Sequence, residues 1–244
     1  MSSLLKVEGL SKSFGAIKVA DDLSFEIAKG DAVGILGPNG AGKTTLFNLI
    51  TGAIKSDSGA IYFNGSDITQ NSAAKRCASG IARSFQIPQP FSGMTVFENC
   101  LVAATQAGGL SGKKAEHFVL QVLEDTHLLD KSNVLSGSLT LLDRKRLEMS
   151  RALSAKPSLL MLDEIAGGLT DAECTSLIES IQRVQASGTT IIWIEHVVHA
   201  LLAVVDRLIV INFGKKVADG DPETTIKSQA VEEIYMGVSR SEST

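Results

Sequence analysis

The sequence predicts an α/β fold built on a largely parallel sheet. Three observations lead there. Short apolar runs at Ala32–Leu36, 159–162, Thr190–Ile194 and 207–211 read as buried strands, and stretches of helical spacing lie between them. A glycine-rich turn follows the first of these runs directly. The chain is 244 residues long, enough for one large domain or two intimate lobes with a real core.

The opening third has a different texture. Residues 4–8, 18–20, 23–27 and 60–63 alternate or run short, with Gly15, Gly30 and Gly59 as punctuation. That pattern predicts a small antiparallel sheet around the first parallel strand. A helix is expected at 45–50, directly after the glycine-rich turn. Residues 95–151 show helical spacing and no strand pattern. Within them, 115–129 carries apolar residues at Phe118, Val119, Val122 and Leu123, and Gly108 and Gly109 mark a turn. The expected organisation is a single domain over 1–244. Residues 1–92 and 152–238 form an α/β core with its β subdomain, 93–151 form an inserted helical subdomain, and 239–244 form a polar, flexible tail.

Apolar residues make up 44% of the chain and charged residues 20%, an ordinary globular balance. A net charge of -4 argues against nucleic-acid binding through a broad basic surface. The basic trio Arg144, Lys145 and Arg146 reads as a solvated helix face. No apolar run approaches the roughly 20 residues of a membrane span. The start, MSSLLKVEGL, lacks the basic region, long apolar run and cleavage site of a signal peptide. Cys77, Cys100 and Cys174 are odd in number and far apart, which suits a reducing compartment and gives no metal or disulfide framework. The expectation is a cytoplasmic chain whose membrane role, if any, comes through partners.

Gly37-Pro38-Asn39-Gly40-Ala41-Gly42-Lys43-Thr44 fits the phosphate-loop pattern G-x-x-x-x-G-K-[ST] at every fixed position. Its context fits as well, with a buried strand before it and a helical run after it. Triphosphate oxygens need several inward-pointing backbone N–H groups, and glycines permit both the close approach and the backbone angles. The following helix adds the positive end of its dipole. Lys43 supplies a charge near the β- and γ-phosphates, and Thr44 offers a hydroxyl to Mg²⁺. Alone, the motif says only that a nucleotide binds.

Leu159-Leu160-Met161-Leu162-Asp163-Glu164 is an apolar strand ending in two acids. The C-terminal end of a parallel strand is where such folds bind ligands. Asp163 is placed to hold Mg²⁺, directly or through water, and Glu164 is the candidate base for an attacking water.

With these residues in place, the chain resembles the ATPase subunits of ABC transporters over nearly its full length. Phe14-Gly15 sits where that family places an aromatic against adenine. Gln86, in Arg83-Ser84-Phe85-Gln86, matches the Q-loop glutamine, and His196, after Thr190–Ile194 and Glu195, matches the switch histidine. The resemblance implies a P-loop NTPase (RecA-like) core with an antiparallel β subdomain and an inserted helical subdomain. It implies ATP and Mg²⁺ as cofactors, and Glu164, His196 and Lys43 as catalytic residues. Nucleotide contacts would come from Phe14, Gly37, Pro38, Asn39, Gly40, Ala41, Gly42, Lys43, Thr44, Thr45, Gln86 and Thr140, and metal contacts from Thr44, Gln86 and Asp163. The implied partners are a second ABC ATPase subunit, two integral membrane permeases and, indirectly, a solute-binding protein, at the cytoplasmic face of the membrane.

Arg83-Ser84-Phe85-Gln86, the stretch Met94-Thr95-Val96-Phe97-Glu98-Asn99 and the ending Glu232-Glu233-Ile234-Tyr235-Met236-Gly237 are similar to the ATPases of branched-chain amino acid importers. Related importers carry urea, short amides or aromatic acids. The lipopolysaccharide-export ATPase has a similar ending but usually carries Leu-Pro-Gln where this chain has Ser84-Phe85-Gln86, so an importer is expected. Soluble ABC ATPases acting on ribosomes or DNA commonly carry two ATPase domains or long coiled coils, and the sequence shows neither. A non-catalytic nucleotide-binding scaffold is opposed by Lys43, Glu164 and His196.

The family signature Leu-Ser-Gly-Gly-Gln aligns with Leu139-Thr140-Leu141-Leu142-Asp143, in a register fixed by Ser150-Arg151-Ala152-Leu153. Thr140 keeps a hydroxyl, Leu142 replaces a glycine, and Asp143 brings a carboxylate. A like-charge pair at ~5 Å and an effective dielectric of ~20 costs ~3 kcal/mol before screening. Asp143 therefore weakens the site if it faces nucleotide, and costs little if it turns away or caps the following helix. After Glu164, the family's usual proline is Ile165, and its usual acid or asparagine after Gly168-Leu169 is Thr170. In this family each ATP site joins one chain's phosphate loop to the other's signature. A heterodimer with unequal sites is one expectation, and a tolerated sequence variant is the other.

Overall fold

The computed structural model describes residues 3–236; the expected tail at 239–244 and Gly237 of the closing motif lie outside the described residues. Its parallel core is a six-stranded sheet of β3 (Ala32–Leu36), β6 (Ile81–Arg83), β7 (Leu159–Asp163), β8 (Thr190–Ile194), β9 (Arg207–Asn212) and β10 (Lys215–Gly220), in the order β10-β9-β3-β8-β7-β6. Only the β9–β10 pair is antiparallel. The first four strands expected from apolar runs are present. The edge strands β6 and β10 carry too few apolar residues to be read from pattern.

The strands are short and buried on both faces, which explains their unbroken apolar character. Their side chains still alternate: Val33 and Ile35 face one core, Ala32 and Leu36 the other. The first core is closed by α1 (Lys43–Thr51), through Leu46, Phe47, Leu49 and Ile50, and by a second sheet. That sheet is antiparallel, ordered β2 (Ile17–Ala28), β1 (Ser3–Phe14), β4 (Ser58–Phe63), β5 (Ser66–Asp67). Three expected fragments of the opening third are thus parts of two long paired strands.

The opposite face is covered by α6 (Asp171–Ala186), whose Leu177, Ile181 and Val184 recur at helical spacing and are buried. Thr170 and Glu173 start it with a capping box, each side chain bonding the other's backbone N–H. Truncating a fully buried residue such as Ile181 to alanine costs about 2–5 kcal/mol.

Three helices, α3 (Val96–Gln106), α4 (Gly112–Asp125) and α5 (Leu141–Ser154), form the inserted layer. It has its own core of Val96, Cys100, Val119, Leu123, Leu139 and Leu147. Helix α4 ends at Asp125, before the expected 129, where Thr126 leaves the helical region. Helix α5 runs unbroken to Ser154, and its Met149, Ala152 and Leu153 join the core of the main sheet. The basic trio is not a solvated face: Arg144 is exposed, but Lys145 and Arg146 are buried. α2 (Ala73–Ala78), α7 (Val198–Leu202), α8 (Pro222–Ile226) and α9 (Gln229–Met236) complete the described chain. No described helix is long and apolar enough to cross a membrane.

Candidate functional site

The phosphate loop leaves β3, Asp163 and Glu164 end β7, His196 follows β8 and Gln86 follows β6. All four groups therefore stand at the carboxyl ends of parallel strands, where this architecture opens to ligands.

The glycines of the loop do different work. A Cβ on Gly37 would lie 2.2 Å from Ile211 O, and one on Gly42, at φ +101, would lie 2.1 Å from Val19 O. These two are demanded by the loop's seating against β9 and β2, a reason the sequence does not reveal. At Gly40, φ +82, a Cβ would meet nothing within 4 Å, so that position opens outward. Helix α1 begins at Gly42 without a side-chain cap, leaving its first N–H groups for another acceptor. Lys43 is buried, and its ammonium donates to Gly37 O at 2.7 Å and Pro38 O at 3.1 Å. An ammonium has three donors, so one remains. Burial pushes its pKa down, opposed by the nearby carboxylates of Glu164 and Asp163. Asn39 and Thr44 are exposed, Pro38 and Thr45 are half-buried, and Ala41 is buried. Phe14 stands half-exposed, with Lys12 Nζ 5.5 Å from its ring centre.

Glu164 has φ +46, a left-handed conformation that non-glycine residues seldom adopt. Its N–H donates to Ile194 O at 2.9 Å, so β8 holds it there. Gln86 Nε2 donates to Glu164 Oε2 at 2.7 Å, and His196 Nδ1 lies 3.9 Å from the same oxygen. The expected trio of Gln86, Glu164 and His196 is therefore brought together. Thr44, Gln86 and Asp163 line one cleft of about 520 Å³.

The fit to a divalent cation can be read from Asp163. Oδ2 of Asp163 is paired with Arg83, while its Oδ1 is buried and accepts no hydrogen bond among the described residues. A buried carboxylate oxygen without a donor suits a cation or its water. No cluster of three or more His, Cys, Asp or Glu ligands occurs among the described residues. Mg²⁺ binds through one or two protein oxygens plus waters and substrate phosphates, and Asp163 and Thr44 would supply the protein oxygens here.

Several contributors escaped the sequence reading. Glu195, named in the sequence only as the residue before His196, is fully buried and accepts N–H bonds from Ala166 (2.7 Å), His196 (3.0 Å) and Val197 (3.3 Å). Burial raises its pKa and those bonds oppose the rise. Glu148 is buried, lines the same cleft as Phe85 and Gln89, and pairs with Arg151 Nη1 at 3.0 Å. Arg151 also donates to Gln89 O at 3.0 Å. The end of this loop is held by Asn99, whose Oδ1 accepts from Phe91 N at 2.9 Å, and by Ser136, whose Oγ donates to Phe91 O at 2.8 Å. Residues 85–91 are thus tied to α5 and α3 while Phe85, Ile87 and Phe91 remain exposed. Pro88 and Pro90 lie within this segment, which contains no helix. Burial pushes the pKa of Tyr235 on α9 up, and the nearby Gly37 backbone opposes the rise.

The signature segment resolves the question of Asp143. Thr140 caps α5, accepting from Asp143 N at 3.3 Å, and its hydroxyl donates to Asp143 Oδ2 at 2.8 Å. Asp143 is buried within the helical layer, with Lys131 Nζ at 2.6 Å. Its charge is neutralised inside this chain, and the ~3 kcal/mol repulsion expected for a nucleotide-facing acid does not arise. Leu141 is exposed at the start of the helix, and Leu142 packs on the main core.

A parallel sheet whose first buried strand feeds a phosphate loop, with an acid pair and a histidine on the neighbouring strand ends, defines a nucleoside triphosphatase. Residues 20–167 match the family model described as ABC transporter. The chain is 36% identical over 254 residues to the probable branched-chain amino acid transport ATP-binding protein LivG of Methanocaldococcus jannaschii, covering 96% of this chain and 97% of the relative. It is 30% identical over 235 residues to the lipopolysaccharide export system ATP-binding protein LptB of Haemophilus influenzae, covering 96% and 98%. A crystal structure of an ATP-binding cassette of an ABC transporter in its ADP conformation superposes with a TM-score of 0.88 at 32% identity, covering 98% of this chain and all of the other. The chain belongs to the ABC transporter family as an ATP-binding subunit, with the ATPase fold and activity of that family.

Proposed function

We propose that this chain hydrolyses ATP to drive uptake of a small polar solute, such as a branched-chain amino acid, through separate membrane permeases. It acts at the cytoplasmic face as one of two paired ATPase subunits, with a solute-binding protein upstream. One observation carries the coupling: the loop whose Gln86 holds Glu164 also exposes Phe85, Ile87 and Phe91. An apolar edge joined to a hydrolytic carboxylate suits a machine that must sense a docked partner. The Arg83-Ser84-Phe85-Gln86 motif and the 36% identity to a probable branched-chain amino acid transport ATPase support an importer over an exporter.

In this reading Gly40, Gly42, Lys43, Thr44 and Thr45 receive the phosphates, and Phe14 receives the base. Lys43 gives its third N–H to the phosphate chain, and burial strengthens that interaction. Glu164 polarises the attacking water, and His196 bears on the terminal phosphate from the same side. Asp163, Thr44 and Gln86 hold Mg²⁺, which neutralises phosphate charge when bound. Closure of two subunits brings a signature helix to the phosphate, and reopening follows hydrolysis. Thr140 contacts the partner's nucleotide only if its hydroxyl proton leaves Asp143. That requirement, with exposed Leu141 where the family has glycine, supports unequal sites in a heterodimer.

The test is mild-detergent extraction of the tagged chain from its native membranes, with mass spectrometry of what co-purifies. Two permeases and a second ATPase are expected. Recovery with lipid-export components, or with no partner, would overturn the importer reading. A homodimer hydrolysing ATP cooperatively at a normal transporter rate would overturn the unequal sites.

A further inference from the structure

Arg83 is the residue that the proposed reaction leaves without a role. It ends β6, three residues before Gln86, and its side chain is almost wholly buried. One guanidinium arm, Nη2, pairs with Asp163 Oδ2, and the other, Nη1, donates to Asn48 Oδ1 at 2.5 Å. Asn48 lies on α1, one helical turn after Thr44. The guanidinium carbon lies 5.4 Å from the Phe47 ring centre and 5.2 Å from that of Phe85. A planar, always-charged fork with one aromatic contact on the phosphate-loop helix and another beside Gln86 has little freedom to turn. It therefore joins the helix after the phosphate loop, the end of β7 and the entry to the Gln86 loop. A lysine cannot reproduce this, having no rigid fork.

We propose that Arg83 is a positioning residue: it holds one oxygen of Asp163 in register with the phosphate-loop helix and leaves the other oxygen to the divalent cation. This rests on the proposed metal role of Asp163. Two consequences follow from the charge and the geometry. The guanidinium repels a cation beside Asp163, so it restrains metal affinity. It also fixes the carboxylate, so it supports turnover. A residue that merely supports the fold would raise neither expectation in opposite directions.

The full-length chain with ADP is titrated with Mn²⁺, and free Mn²⁺ is read by electron paramagnetic resonance; ATP turnover is measured in parallel. Arg83→Met keeps an apolar filling between the two rings. It is expected to bind Mn²⁺ three- to tenfold more tightly and to turn over at least tenfold more slowly. Arg83→Lys keeps the charge without the fork, so its Mn²⁺ affinity should stay within twofold of the parent while turnover falls about tenfold. Unchanged or weaker Mn²⁺ binding in Arg83→Met, or full turnover in Arg83→Lys, overturns the proposal. If neither variant folds, Asn48→Ala is read instead: turnover should fall three- to tenfold at unchanged Mn²⁺ affinity, and unchanged turnover overturns the proposal. Asp163→Asn separates the two layers of inference. Should it leave Mn²⁺ affinity unaltered, the metal role of Asp163 fails, and the role of Arg83 fails with it.

Discussion

Gln86 Nε2 meets Glu164 Oε2 at 2.7 Å, so the loop after β6 holds the acid that ends β7. If Glu164 is the base, Glu164→Gln keeps the shape and removes the proton acceptor. Turnover should then fall at least ~100-fold, the usual scale for a lost general base. ATP affinity, followed by fluorescent-nucleotide displacement, should stay within about threefold. Unimpaired hydrolysis would remove Glu164 from the chemistry.

Gly42 and Gly40 separate packing from backbone freedom. Gly42→Ala places a methyl 2.1 Å from Val19 O in a left-handed conformation, whereas Gly40→Ala meets nothing within 4 Å. The first should lose roughly 2–4 kcal/mol in denaturant unfolding through strain and overpacking. The second should lose about 1–2 kcal/mol, the left-handed cost alone. Equal losses would show that the contact with Val19 does not govern the loop.

Asp143 faces Lys131 and the cap of its own helix, so it is a stabilising residue of the helical layer. Asp143→Ala should destabilise the chain by about 1–3 kcal/mol, because the Thr140 hydroxyl loses its acceptor and buried Arg146 loses the carboxylate 3.9 Å away, while half-exposed Lys131 can return to water. Thermal unfolding measures this. A stability gain would mean that the carboxylate is held against its preference.

Burial raises the pKa of Glu148, against the opposing pull of Arg151 and the N–H groups of Gln89 and Phe85. The sign follows from linkage. A raised folded pKa means that the folded chain binds the proton more tightly. The associated stability is present below the unfolded value, about 4.3, and is lost as pH rises through the folded value. Subtracting wild-type from Glu148→Gln unfolding free energies at successive pH values should therefore give a difference that grows upward from about pH 4.3. A flat difference would show that Glu148 titrates alike in both states.

The Cys100 thiol is fully buried and its pKa is pushed up to about 12, whereas Cys77 is only half-buried. A thiol reagent at pH 8 should label Cys77 first and reach Cys100 only on unfolding. Mass mapping of the labelled peptides reads the order; early labelling of Cys100 would show that the helical layer opens readily.

Legibility in the sequence followed the range of the interactions. The phosphate loop, the acid pair and the short, doubly buried strands are local patterns, and each lies where periodicity and motif spacing put it. The helical layer was readable from the spacing of Phe118, Val119, Val122 and Leu123. What escaped depends on contacts across the chain. Glu195 looks like a charge ending a strand, but besides the next two backbone N–H groups its carboxylate accepts from Ala166 N, 29 residues away. Lys145 and Arg146 look solvated because burial of a long cation depends on what packs over its stem. Arg83 belongs to a recognisable motif, yet its partners Asn48 and Asp163 stand 35 and 80 residues away. Asp143 admitted two orientations, and the positions of Thr140, Lys131 and Arg146 around its carboxylate decide between them.

The Glu195 carboxylate has a wider implication. It ties Ala166, two residues past Glu164, to the backbone of His196. The ends of two neighbouring strands therefore cannot be exchanged one at a time between related ATPases. A chimaera that transplants the loop after β7 without the loop after β8 inherits half of a knot, and recombination should pass these two stretches on together even though nearly thirty residues of helix and strand separate them.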